Sequence, residues 1–168
     1  DVDDKQLKDS VTNGLFFAST DEMALKETDA IFICVPTPIT KNRVPDTAFM
    51  ESASKVALNA MSPGKLVVLR STTYPGTTEE LTLPILESTG FKLDKDFYLA
   101  FSPERIDPGN TVWTSDNTPI VVGGVTEKSG DVAEMVLKTV MPKVFRVSNA
   151  KVAEMEKLLE NIFRSVNI

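Results

Sequence analysis

Glu104 and Arg105 stand side by side in the stretch Ser102-Pro103-Glu104-Arg105-Ile106-Asp107-Pro108-Gly109-Asn110, which combines a carboxylate, a guanidinium and a turn that frees backbone amides. A carboxylate in a cleft can act as general base where burial raises its pKa, and a guanidinium with free amides can hold a diphosphate. A surface Glu-Arg pair beside an Asp-Pro-Gly turn is the plainer account. Earlier in the chain, Ser71-Thr72-Thr73-Tyr74-Pro75-Gly76-Thr77-Thr78 gathers hydroxyls and a glycine in front of a helix start. Unpaired amides at a helix N-terminus can hold an anion, and hydroxyls beside them can orient water. The same residues serve equally as an N-cap with a polar lead-in. Lys157 and Asn161 have the i, i+4 spacing that places both on one helix face, where ammonium and amide could point at a single oxyanion. A solvated polar face is the alternative. In Val35-Pro36-Thr37-Pro38 a hydroxyl stands between two prolines, either as a rigid turn or as a stiff wall beside a cofactor. Cys34 precedes it inside an apolar run and reads as core filling rather than a reactive thiol.

Composition removes whole classes of chemistry. Lys plus Arg number 18 against 24 Asp plus Glu, a net charge of -6, so the summed field repels nucleic acid and anionic membranes. The single cysteine excludes an internal disulfide, and the absence of histidine removes His-type zinc sites and Ser-His or Cys-His nucleophile pairs. No metal is expected. Hydrophobic content of 42% and charged content of 25% are those of a globular protein, and no apolar run approaches the roughly 18 residues of a membrane span. Length, at 168 residues, fits one domain. With no secretory signal at the start, the expected compartment is the cytoplasm.

The elements that must position these residues follow from alternating apolar runs and helical periods. Ala30 to Val35 is a continuous apolar run ending at Pro36, the pattern of an inner strand buried on both faces. Thr47 to Ala57 carries a helical spacing that stops at Ser62-Pro63-Gly64. Lys65 to Leu69 is a second buried strand, and a helix from Thr77 to about Ser88 follows, with Pro84 as a possible kink. Phe97 to Phe101, Ile120 to Val122 and Val144 to Val147 give three more strands, with a helix over Glu127 to Thr139. From Ala150 onward a helix carries Met155, Leu158, Leu159, Ile162, Phe163 and Val166 on one stripe, expected to be its buried face. The alternation predicts an α/β fold: an open, doubly wound parallel sheet with helices on both faces. Ligands of such sheets sit beyond the carboxyl ends of the strands, where Pro36-Thr37-Pro38, Ser71 to Thr78, Ser102 to Asn110 and Gly123-Gly124 lie.

The chain opens at Asp1 without methionine and stops at Ile168 inside a helical pattern, which reads as an excised piece. Asp1-Val2-Asp3 looks like the end of a strand whose acid would bind the ribose hydroxyls of a dinucleotide, although the Gly-rich turn expected roughly 20 residues upstream is not in this sequence.

In order and spacing, Ile33 to Pro38 (ICVPTP), Ser71 to Thr77 (STTYPGT), Phe101 to Asn110 (FSPERIDPGN) and Ala153 to Ile168 together resemble the UDP-glucose/GDP-mannose dehydrogenase family, and within it the branch acting on UDP-N-acetylhexosamines. The resemblance implies a Rossmann-like domain over 1–149 lacking its first β-α unit, and over 150–168 the start of a connecting helix that builds a homodimer. It implies NAD as cofactor and a UDP-sugar as substrate, whose C6 alcohol is oxidised to a carboxylate with two NAD+ consumed, through a thiohemiacetal and a thioester. Such enzymes supply precursors of surface polysaccharides. Family analogy makes Glu104 the general acid/base of thioester hydrolysis, gives Thr72 a hold on the water, and assigns Lys157 and Asn161 to the oxyanion. Arg105 and Ile106 match positions facing the nucleotide diphosphate, while Asp1, Pro36, Thr37, Ser71 and Thr72 match the NAD pocket. The cysteine nucleophile and the Gly-rich turn would both lie outside this sequence, so the piece alone is expected to be inactive, and Cys34 is not that nucleophile. Three positions depart from the family pattern: Gln6, Arg70 in place of a frequent Glu, and Thr118-Pro119-Ile120. A β-hydroxyacid dehydrogenase relative, which would not require Ser-Pro-Glu-Arg, and a noncatalytic nucleotide-sugar-binding module are the competing readings.

Overall fold

Each short apolar run can bury two faces at once only as a strand between helical layers, and the chain folds accordingly. A computed structural model describes residues 3–105 and 117–168. In chain order these form α1 (Asp4–Thr12), a 3-10 helix (Glu22–Glu27), β1 (Ala30–Ile33), α2 (Ala48–Asn59), β2 (Lys65–Leu69), α3 (Leu83–Glu87), β3 (Phe97–Phe101), β4 (Ile120–Gly124), α4 (Glu127–Lys138), β5 (Val144–Arg146) and α5 (Ala150–Asn167). The sheet runs β1-β2-β3-β4-β5. One core packs Ile31, Val67, Leu69, Leu99 and Phe101 against Met50 and Ala57 of α2, Leu86 of α3 and Ala150 and Ala153 of α5. A second core, on the opposite face, packs Val68, Ala100 and Val122 against Ala133 and Leu137 of α4. The sheet is therefore covered on both faces, as the alternation predicts.

Four local expectations change. The pairings of β1 with β2, β2 with β3 and β4 with β5 are parallel, but β3 and β4 run antiparallel, with Ala100 opposite Gly124 and Phe101 opposite Gly123. A parallel neighbour requires a crossover helix, and the sequence from Ser102 to Pro119, with prolines at 103, 108 and 119, holds no helical period. Second, β1 is an edge strand among the described residues rather than an inner one. Ile31 and Ile33 enter the core, whereas Phe32 is 39% exposed, because an apolar run reports only what the side chains tolerate and not what lies next to them. Third, the helix expected from Thr77 to about Ser88 forms without a break as far as Glu87, but Thr78–Thr82 winds with the wider π spacing before α3 follows. Pro84 follows directly on this π segment, the kind of interruption of the hydrogen-bond ladder that accommodates a proline within a helix.

The fourth change concerns α5. Its buried residues are Ala150, Ala153 and Glu154, while Met155, Leu159, Ile162, Phe163 and Val166 are exposed. At 100° per residue, Ala150, Ala153 and Glu154 share a face with Lys157 and Asn161, and the apolar stripe points the opposite way. The helix is inverted relative to the amphipathic expectation, because its contacts with the sheet are made by small residues and by a buried carboxylate. Close approach of this helix start is allowed by Gly123, where a Cβ would overlap the Asn149 carbonyl. Gly123-Gly124 thus serves packing.

Candidate functional site

The carboxyl ends of β1 and β2 are in register, Ile33 opposite Leu69, so the segments that leave them start side by side. Arg70 N donates to the Ile33 carbonyl at 2.9 Å. Ser71 then ties the two segments together: its Oγ accepts from Val35 N at 2.8 Å and donates to the Val35 carbonyl at 2.8 Å. Ser71 is buried and shapes the wall by fixing the backbone of Val35. From β3, Ser102 N donates to the Leu69 carbonyl at 3.0 Å and Ser102 Oγ to the Val121 carbonyl at 2.8 Å, which sets the departure of Pro103 and Glu104. The three strand ends enclose an open cleft of about 260 Å³ lined by Cys34, Val35, Thr37, Arg70, Ser71, Thr72 and Glu104.

Glu104 presents an exposed carboxylate to this cleft and is held through both oxygens. Oε2 pairs with Arg70 Nη2 at 2.9 Å, and Oε1 accepts from Arg105 N at 2.8 Å. Cys34 is exposed at the cleft rather than buried in the core, which corrects the sequence expectation: β1 ends at Ile33, and the outward alternation of an edge strand carries the thiol away from the core. Partial desolvation pushes the Cys34 thiol above its ordinary range, with Arg70 opposing and Glu104 reinforcing the shift. That is the reverse of what an activated thiolate needs.

The helix start after Tyr74 carries a carboxylate from within the protein. Glu154 of α5, 3% exposed, accepts from Gly76 N, from Thr78 N at 2.9 Å and from Thr78 Oγ1 at 2.6 Å. Gly76 takes a φ of +107°, a backbone that other residues reach only with strain, to offer its amide there. The amides of this helix start thus hold an anion, as one of the two readings had it, but the anion is the protein's own, and Thr77 makes no side-chain cap bond. Thr73 and Thr77 bond to each other at 2.5 Å, leaving Thr72 as the half-buried hydroxyl of the segment that lines the cleft.

Arg105 turns toward α5, where Nη1 meets Glu156 Oε1 at 2.9 Å and Nη2 pairs with Glu160. Burial raises the pKa of Glu156, the carboxylate of Glu160 adds to it, and Arg105 and Lys157 oppose it. Lys157 is half-buried beside this cluster. Its pKa is lowered by burial and further by Arg105 and Arg164, against the opposing pull of Glu160 and Glu156. Asn161 is exposed one turn on. Thr37, Ser71, Thr72 and Glu104 are thus gathered in one cleft, whereas Lys157 and Asn161 lie outside its lining, further along the side of α5 that begins with the buried Ala150, Ala153 and Glu154. Pro36 is exposed beside the cleft. Asp1 and Ile106 lie outside the described residues. Sequence reasoning missed Glu154, Glu156 and Glu160 as partners; the spacing of Glu154 from Ala150 and Lys157 was the available signal. Among the described residues no group of His, Cys, Asp or Glu could hold a metal ion.

A larger hollow of about 400 Å³ is bordered by Phe17, Asp21, Glu22, Leu25 and Thr28. It precedes the amino end of β1, and the Asp21 carboxylate is already engaged by Met23 N at 3.0 Å. The cleft beyond the carboxyl ends has the position and the donor set expected of a ligand site in a parallel sheet. It offers the hydroxyls of Thr37 and Thr72, an apolar wall at Val35 and the Arg70–Glu104 pair, a lining that can accept part of a dinucleotide.

No helix among the described residues is long and apolar enough to cross a membrane. Protein CapL of Staphylococcus aureus is 43% identical over 146 residues, covering 86% of this chain and 34% of its own length. The UDP-N-acetyl-D-mannosamine dehydrogenase of Pyrococcus horikoshii is 35% identical over 165 residues, covering 98% of this chain and 39% of its own length. The solved structure of the Pyrococcus horikoshii UDP-D-ManNAc dehydrogenase superposes with a TM-score of 0.91 at 36% identity, over 98% of this chain and 39% of that one. The chain therefore spans less than half the length of these relatives. Residues 3–141 match the model described as "UDP-glucose/GDP-mannose dehydrogenase family, NAD binding domain". The order of strand-end motifs, the doubly covered sheet and these matches agree, and the chain belongs to the UDP-glucose/GDP-mannose dehydrogenase family.

Proposed function

We propose that this chain is the NAD-binding part of an NAD-dependent nucleotide-sugar 6-dehydrogenase, which oxidises the C6 alcohol of a UDP-N-acetylhexosamine to the uronic acid in two hydride transfers. The observation that carries the reading is the convergence of Thr37, Thr72 and Glu104 on one cleft at the carboxyl ends of β1, β2 and β3. Pro36, Thr37 and Thr72 would hold NAD there, Ser71 would keep their backbone in place, and Asp1 would meet the ribose. When bound, NAD takes up the hydride released from the sugar. Glu104, exposed and held through both oxygens, would move a proton to or from water on the cleft side, with Thr72 orienting that water. Lys157 and Asn161 share one side of α5, so an ammonium and an amide would meet a developing oxyanion together from one helix.

In this reading residues 1–149 form the cofactor domain and 150–168 begin a connecting helix whose exposed stripe pairs with a second copy. The protein works in the cytoplasm and supplies precursors of surface polysaccharides.

NADH absorbance measured on the full-length protein with UDP-N-acetylglucosamine, UDP-N-acetylmannosamine, UDP-glucose and GDP-mannose in parallel tests the reading. Two NADH per sugar are expected with one of the UDP-N-acetylhexosamines, and silence with all four would sink it. The 168-residue chain alone, which contains neither the family's cysteine nucleophile nor its Gly-rich NAD turn, is expected to produce no NADH.

A further inference from the structure

Arg70 is the least expected residue of the cleft. It extends β2 by one position, and its side chain is 10% exposed, against 52% for Glu104. Among the described residues one charged partner, Glu104 Oε2, engages it at 2.9 Å, and its buried Nε has no hydrogen-bond partner. Burying a guanidinium with part of its donor set unmet is a costly way to hold a strand end, since an apolar side chain there would avoid the desolvation. What the arrangement achieves is orientation. The carboxylate of Glu104, on an exposed side chain with three rotatable bonds, is held at one oxygen by Arg70 and at the other by the amide of Arg105.

We infer that Arg70 is a positioning residue which fixes the carboxylate of Glu104 in the cleft and acts on turnover only through it. This rests on the functional reading above, in which Glu104 moves the proton. A charge-assisted bond from a buried, rigid donor restricts the carboxylate to the orientation that faces the cleft, and small errors in the placement of such a group cost rate more than affinity. Lysine at the same position would keep the charge and one bond but not the planar geometry.

The test is a double-mutant cycle on the full-length protein, with NADH production read under saturating and limiting substrate. Arg70→Met should lower kcat about tenfold while the KM values for NAD and for the nucleotide sugar stay within about twofold, and Arg70→Lys should recover part of the loss. In a Glu104→Gln background, Arg70→Met should cause no further drop, because the group it serves is already gone. Multiplicative losses in the double variant would overturn the inference, as would a raised KM for NAD at unchanged kcat, which would make Arg70 a cofactor ligand. Failure of both Arg70 variants to fold, checked by thermal melting, would show that the guanidinium holds the structure and would equally overturn it. Wild-type protein inactive on all four nucleotide sugars would instead remove the functional reading itself, an outcome distinct from an active enzyme in which the two sites behave independently.

Discussion

Glu156 and Lys157 are sequence neighbours whose ionisation is displaced in opposite directions by the same cause, burial at the root of α5. For Glu156 the folded state holds the proton above the ordinary value of 4.5, so its contribution to stability is fully present below that pH and is lost as pH rises through the raised folded value. Glu156→Gln keeps an acceptor for Arg105 and a donor for Glu160 without a charge to desolvate. Urea unfolding of this chain across a pH series should therefore show the variant gaining on wild type as pH rises above 4.5, with no such trend below it. A difference independent of pH would refute the assignment. Lys157 behaves as the mirror case: its lowered pKa gives stability that is full above 10.5 and is lost as pH falls through the folded value. An ammonium that burial already disfavours gains when an oxyanion arrives beside it, which suits the role proposed for Lys157.

At the scale of elements, α5 does two jobs with two faces. Its inner face fastens the helix start after Tyr74 through Glu154, so that the loop bearing Thr72 and the helix bearing Lys157 are joined by one buried carboxylate. Glu154→Ala would leave two amides and a hydroxyl without an acceptor in a dry site. We expect a loss of about 3 kcal/mol in urea unfolding, and a smaller loss for Glu154→Gln, which retains one acceptor. Equal stability of the alanine variant would show that the clamp is idle. The outer face carries Met155, Leu159, Ile162, Phe163 and Val166 into solvent. An apolar stripe of that length promotes association, so this chain should self-associate in light scattering. Leu159→Glu with Phe163→Glu should give monomers in the same measurement, and their stability should no longer depend on protein concentration. A wild-type chain that runs as a monodisperse monomer would count against this.

For the whole molecule, the sequence by itself determined the strands, the helices between them, the covered sheet and the strand-end segments from which the cleft is built. These follow from local information: an apolar run of four or five residues, a helical period, a proline or glycine stop. That the segments bearing Thr37, Thr72 and Glu104 border one cleft was legible for the same reason, since residues that follow a parallel strand must emerge at its carboxyl end, whereas singling out these residues took the family resemblance. Tertiary structure alone decided the rest. It turned β4 antiparallel to β3, left β1 at an edge with Cys34 exposed, presented the small and charged face of α5 to the sheet, and set Arg70 behind Glu104 and Glu154 behind Gly76. Each of these depends on which surfaces meet across long separations in the chain. A hydrophobic pattern records that a face is apolar but not what will cover it, and a carboxylate records its charge but not the donors, dozens of residues away, that folding brings within reach of it.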